Sequence, residues 1–169
     1  MATKWILDPS HSELTFKVKH MMISNVKGAF DTFNAEIEAE DDTFKQAKVT
    51  ATIEADSIDT NNADRDKHLK SGDFFDTEKY PQITFTADSL GENVTGELTI
   101  NGVTKPVQLK VDFGGINKDP WGNTKAGFSV EGKISRKEWG LNWNAALETG
   151  GVLVSDEVKV AADLQFVKQ

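Results

Sequence analysis

A two-residue alternation of apolar and polar side chains runs through most of this chain, and it restricts the fold more than any other feature. At that period every second side chain falls on one face of an extended strand. Leu14, Phe16 and Val18 alternate with Thr15, Lys17 and Lys19. Phe33, Ala35, Ile37 and Ala39 alternate with polar neighbours, as do Val49, Ala51 and Ile53. The second half repeats the pattern at Ile83–Phe85–Ala87, at Val94, Leu98 and Ile100, and at Val107, Leu109, Val111 and Phe113. It continues through Phe128, Val130 and Ile134 and ends with Val158, Val160, Leu164 and Phe166. One wet and one apolar face per strand belong to an antiparallel sheet.

Roughly eight or nine such strands exceed what an open sheet holds without curling. The expected fold is therefore all-β, a closed antiparallel barrel of about eight strands, in one domain over residues 1–169. Asn101-Gly102 suits a tight hairpin. Gly114-Gly115, Asp119-Pro120 and Trp121-Gly122 together mark a longer loop, and Glu40–Thr43 is a polar break. One segment departs from alternation. Ala63 to Lys70 reads as a short inserted helix, with Asn62 as its N-cap and Gly72 as its stop. Pro81 opens the next strand, where its missing N–H costs least. A further turn of helix is expected at Arg136–Trp139, closed by Gly140.

A barrel of this strand number either fills itself or holds one small ligand. The inward set mixes large aromatics with Ala35, Ala51, Ala87, Gly96, Gly132 and Ala162. Small residues facing inward argue for interior space, but they also fit a tapered, fully packed core. Both outcomes stay open at this point.

Composition narrows the function classes. A net charge of -8 would repel phosphate backbones and anionic membrane faces, and no run of Lys and Arg announces a basic patch. A nucleic-acid partner is not expected on that basis, and membrane association is disfavoured without being excluded. No cysteine is present, which removes disulfides, thiolate nucleophiles and Cys-based zinc sites. No apolar stretch approaches the ~20 residues of a membrane-spanning helix. The first residues enter a strand without a signal-peptide core, so a cytoplasmic location is expected.

His11, His20 and His68 lack the paired spacing of a metal site. His20 shares the parity of Phe16 and Val18, so it points inward near a strand end; its plain reading is a hydrogen-bonded histidine at the rim. Asp64-Arg65-Asp66 and His68 crowd charge onto the helix. Such clusters are usually solvated faces, but Arg65 turned inward would orient a polar head group with its planar fork. Trp139 and Trp143 share a strand parity and read as core packing or as a tunnel lining. Gly150-Gly151 reads as a loop or lid. No nucleophile elbow, P-loop or dinucleotide fingerprint is present, so neither an enzyme nor a cofactor is expected.

Several motifs carry a family resemblance. Asp8-Pro-Ser-His11-Ser12, then Phe16, Val18 and His20, then Val26-x-Gly28-x-Phe30, form an N-terminal signature. Ser57-Ile-Asp-Thr60, Arg65-Asp66-x-His68-Leu69, Asp73-Phe-Phe-Asp76 and Tyr80-Pro81-x-Ile83-Thr-Phe85 follow in order. Gly96-x-Leu98, Gly102-Val-Thr-Lys-Pro106-Val107 and Arg136-x-x-Trp139-Gly140-Leu141 complete the run. Over its whole length the chain resembles the YceI-like family of bacterial polyisoprenoid-binding proteins with a lipocalin-like barrel.

That resemblance implies a tunnel for a polyisoprenoid, an isoprenoid quinone tail or a similar chain, held for storage, transport or protection. It places Phe16, Phe30, Phe85, Leu98, Phe128 and Trp143 along the tunnel, and His20, Arg65 and Arg136 near the polar head. His11 and Asp73 match the signature and are expected to serve the fold more than the ligand. Many relatives are periplasmic. A homodimer stays open, as do two alternatives: an enzyme acting on a lipid-like substrate in the barrel, and a solid barrel that works through its surface.

Overall fold

The structure, a computed structural model, describes residues 2–21, 23–141 and 154–169. Among them eleven strands form one sheet: β1 (Thr3–Leu7), β2 (Glu13–His20), β3 (Ser24–Phe30), β4 (Phe33–Ala39), β5 (Ala47–Glu54), β6 (Ile58–Asp59), β7 (Gln82–Ala87), β8 (Asn93–Ile100), β9 (Val103–Lys118), β10 (Thr124–Ser135) and β11 (Val154–Lys168). A single helix, α1 (Ala63–Leu69), lies between β6 and β7.

Every strand pairing is antiparallel, and the sheet closes where β1 meets β11, with Trp5 opposite Lys168 and Leu7 opposite Phe166. The first six strands are three bent staves. β1 and β2 run in succession along β11, β3 and β4 follow them on the next stave, and β5 and β6 on the one after. With β7 to β11 these make a closed barrel of eight staves, the number expected from the alternation.

The first bend has a local cause. Between β1 and β2, Pro9–His11 forms a 3-10 turn in which the Asp8 carboxylate caps the Ser10 N–H at 3.1 Å. Lys125 on β10 reaches the same carboxylate at 2.9 Å and His11 Nδ1 lies 2.8 Å from it. The Lys125 hydrogen bond, followed by those of Ser10 and His11, holds the Asp8 carboxyl far below the usual carboxylate range. The signature Asp8-Pro-Ser-His11 thus builds a corner and takes no part in the interior.

The Asn101-Gly102 hairpin is as expected, with both residues at positive φ in a two-residue loop. The Gly114-Gly115 pair is not the start of a loop. β9 runs on to Lys118, and the register to β10 shifts there, with Phe113 opposite Phe128 and Gly115 opposite Gly127. Gly114 is the extra residue of a bulge, and Gly115 adopts φ +107°, a conformation that glycine takes without strain.

One end of the barrel, where β4 and β7 finish, is closed by packed aromatics. Phe44, in the β4–β5 connection, is fully buried at φ +59°. Its ring meets Trp5 at 5.3 Å, Phe113 at 5.3 Å and Phe128 at 5.1 Å between centroids. A left-handed non-glycine residue costs about 1–2 kcal/mol, and burial of the ring offsets it. Phe44→Ala is expected to lower unfolding stability by about 3–5 kcal/mol, read from the urea midpoint at unchanged slope.

Candidate functional site

Above that plug the barrel holds an elongated cavity of about 650 Å³, within the range of small-molecule sites of ~300–1,000 Å³. Its interior is therefore not packed solid. Apart from β1, every strand contributes a side chain to its wall. The middle is hydrocarbon, including Phe16, Phe30, Phe85, Leu98, Leu109 and Val160.

The small inward glycines play a different part from the one expected. A Cβ on Gly96 would lie 2.4 Å from the Phe85 ring, and one on Gly28 would lie 2.3 Å from the Phe16 ring. A Cβ on Gly132 would meet Leu109 at 2.6 Å. These glycines are seats. Each lets a bulky cross-strand neighbour lie against the wall, where a side chain at that position would push it toward the axis. Ala35 and Ala87 belong to the buried cluster around Trp5 and Phe44, whereas Ala51 and Ala162 are half-buried on the cavity wall.

Polar side chains gather at the end away from the plug. Lys19 and His20 finish β2, and Asn62, Asp64, Arg65 and His68 come from α1 or its cap. As expected, Asn62 caps α1 by accepting the Arg65 N–H at 3.0 Å. The helix stops at Leu69, three residues before Gly72. Thr60, fully buried, locks α1 to the barrel. Its hydroxyl donates to Asp66 Oδ1 at 2.5 Å and accepts from Arg65 Nε at 2.8 Å. Its carbonyl accepts from Arg65 Nη2 at 2.6 Å. Arg65 therefore lines the cavity while two of its nitrogens serve the helix anchor.

Arg136 is almost wholly buried, with Nε on the Ser155 carbonyl at 2.9 Å, Nη1 on that of Leu141 at 2.6 Å and Nη2 on that of Val154 at 3.2 Å. It joins Leu141 to the start of β11. Burial pushes its pKa down, and Asp156 opposes the shift. Asp156 in turn is held low chiefly by the Ser135 hydroxyl. Trp139 lies on the 3-10 turn Arg136–Trp139, not on a strand, and its Nε1 donates to the Leu98 carbonyl at 2.9 Å.

Eight of the expected site residues stand on this cavity wall: Phe16, His20, Phe30, Arg65, Phe85, Leu98, Phe128 and Arg136. Trp143 and the Gly150-Gly151 pair lie outside the described residues. The His20 side chain hydrogen-bonds to none of the described residues. His68 Nε2 is 2.9 Å from Asp73 Oδ2, which makes the signature Asp73 a brace for the helix. Sequence reasoning missed Phe75, which meets Phe30 at 5.9 Å on the cavity wall, and Ile58 beside it. Both fall where alternation lapses; only the paired Phe74-Phe75 hinted at them. Among the described residues no group of three metal-ligating side chains is present.

The family model of the YceI-like domain matches residues 5–166. The chain belongs to the YceI-like family. It is 46% identical over 166 residues to a UPF0312 protein of Staphylococcus aureus, covering 97% of each. A YceI protein of Campylobacter jejuni matches its fold with a TM-score of 0.76 at 34% identity, over 89% of this chain and 90% of that one. BcnA of Burkholderia cenocepacia matches with a TM-score of 0.80 at 25% identity, over 94% and 98%. A polyisoprenoid-binding domain from Saccharophagus degradans shares the fold, with a TM-score of 0.69 at 17% identity over 98% of both chains. Two of the YceI-like signature blocks thus build structural devices, the Asp8 corner and the Thr60–α1 anchor.

Thr60→Val keeps the shape but removes the hydroxyl shared by Asp66 and Arg65. It is expected to cost about 1–3 kcal/mol and to speed amide exchange in residues 63–69 ahead of the barrel strands. Denaturant titration and hydrogen exchange check both.

Proposed function

We propose that this YceI-like barrel binds one long apolar lipid, a polyisoprenoid, an isoprenoid quinone or a similar chain, for storage, transport or protection. The observation that carries the reading is the continuous hydrocarbon-lined cavity between the Phe44 plug and α1. The Saccharophagus relative, described as polyisoprenoid-binding, supports the ligand class. A flexible chain gains about 25 cal/mol for each Å² taken out of water, part of which is spent on ordering it.

The polar end gives the cargo a direction. Its tail would point at Phe128 and its head at Lys19, His20 and Arg65. A wall of hydrocarbon separates chains of similar width poorly, so these end groups would set selectivity. The chemistry of such a site is non-covalent. This is the reading of a binding protein that needs no cofactor beyond its cargo.

The test is intact mass of the gently purified protein together with lipid extraction. The expected result is one added mass belonging to an apolar lipid. Ala162→Trp, which fills the lumen from a half-buried wall position, should abolish the adduct and the uptake of a polyprenol from detergent, with the circular dichroism spectrum retained. A protein that is always empty and refuses polyprenol, or an Ala162→Trp variant that binds as before, would contradict the proposal.

A further inference from the structure

Four lysines stand directly opposite one another across neighbouring strands. Lys133 on β10 faces Lys159 on β11, Lys159 faces Lys17 on β2, and Lys17 faces Lys27 on β3. All four are exposed on the outer wall. Like charges in directly opposed positions destabilise a sheet, so folding gives no reason for the row. Lys133 approaches Glu157 at 3.8 Å, while Lys17, Lys27 and Lys159 have no ion-pair partner among the described residues. A shallow concavity on the same wall adds Lys110, whose register partner is Glu131.

The setting makes the row more telling. The chain carries 27 acids against 19 lysines and arginines, yet residues 14–30 hold three lysines and no acid. Those residues are the β2–β3 hairpin without Glu13, the first residue of β2. Its turn presents Ile23, 82% exposed, and Met21, 41% exposed at φ +55°. Its inner face carries Val18, His20 and Val26 on the cavity wall. An exposed apolar tip beside a row of lysines, here flanked on the same wall by Glu13, Glu131, Glu157 and Asp163, is the arrangement of a surface that enters the headgroup layer of an anionic bilayer.

We propose that the outer face of β10, β11, β2 and β3, with the β2–β3 tip, docks this barrel on an anionic lipid surface. Lysines hold the wall against the headgroups, and Ile23 enters the apolar boundary. Docking sets the polar end of the cavity beside the bilayer, where an apolar cargo can enter or leave without crossing water. That last step rests on the lipid-cargo reading; the surface binding itself does not.

Flotation with vesicles of phosphatidylcholine alone, or mixed with phosphatidylglycerol, tests the proposal on the full chain. Binding is expected only to the anionic vesicles and should fall steeply with added salt. Lys17→Gln with Lys27→Gln should weaken it about 25-fold, at roughly fivefold per lysine, and Ile23→Ser about tenfold. All three positions are exposed; the urea midpoint of the Ile23→Ser variant should match the parent, and that of the double lysine variant should match or exceed it because the opposed charges are gone.

Absence of binding to anionic vesicles at low salt overturns the proposal. So does binding that the lysine variants leave unchanged, or binding equal on neutral vesicles. Retention on polyglutamate beads without vesicle binding assigns the row to an acidic protein and overturns it as well. Uptake of polyprenol from detergent, measured on the same variants, keeps the two readings apart. Uptake retained while vesicle binding is lost upholds the docking face without touching the cargo site.

Discussion

The pairing of β1 with β11 sets the terms for the rest of the molecule. Only three residue pairs join β1 to β11, but they close the sheet into a ring in which β1 is no longer an edge strand. Once the ring closes, the inner side chains of all eight staves face one axis and compete for the same volume. Each must fill it, lie along the wall, or leave it to a guest. The seam is also where Leu7 and Phe166, one from each partner strand, enter the buried cluster at the closed end.

The chain resolves that competition unevenly along the axis. At one end Phe44 is forced into a left-handed backbone so that its ring can seal the opening against Trp5, Phe113 and Phe128. Through the middle, Gly28, Gly96 and Gly132 let Phe16, Phe85 and Leu109 lie flat, and space remains between opposing walls. At the other end Thr60 and Arg136 spend their hydrogen bonds on backbone and helix, which fixes α1 and the start of β11 around the cavity. A packed plug, a lined lumen and a hydrogen-bonded rim follow from one closed sheet.

The barrel was legible because alternation is a per-strand signal that needs no knowledge of partners. Phe16, Phe85, Leu98 and Phe128 could be placed inward by parity alone, and the structure finds them on the cavity wall. What depends on partners was not legible. Gly96 looked like a source of space and is a seat, because the ring that occupies it comes from β7. Gly114-Gly115 looked like a loop, because a bulge becomes visible only when two strands are set side by side. Phe44 and Thr60 sit where alternation lapses, and their roles come from tertiary contacts. The lysine row escaped for the same reason: its members lie far apart in the chain, and only strand register lines them up.

The structure gives the lumen an apolar wall bounded by Phe128 at one end and by Arg65 and His20 at the other, and such a wall should keep it dry. Xenon binds such spaces and avoids hydrated ones. Diffraction from xenon-pressurised crystals of delipidated protein is the most direct measurement. Xenon density is expected along the axis between Phe128 and Phe16, with the rings of Phe16 and Phe85 still lying on Gly28 and Gly96. A file of ordered waters along that axis, or side chains collapsed across it with no xenon bound, would contradict it.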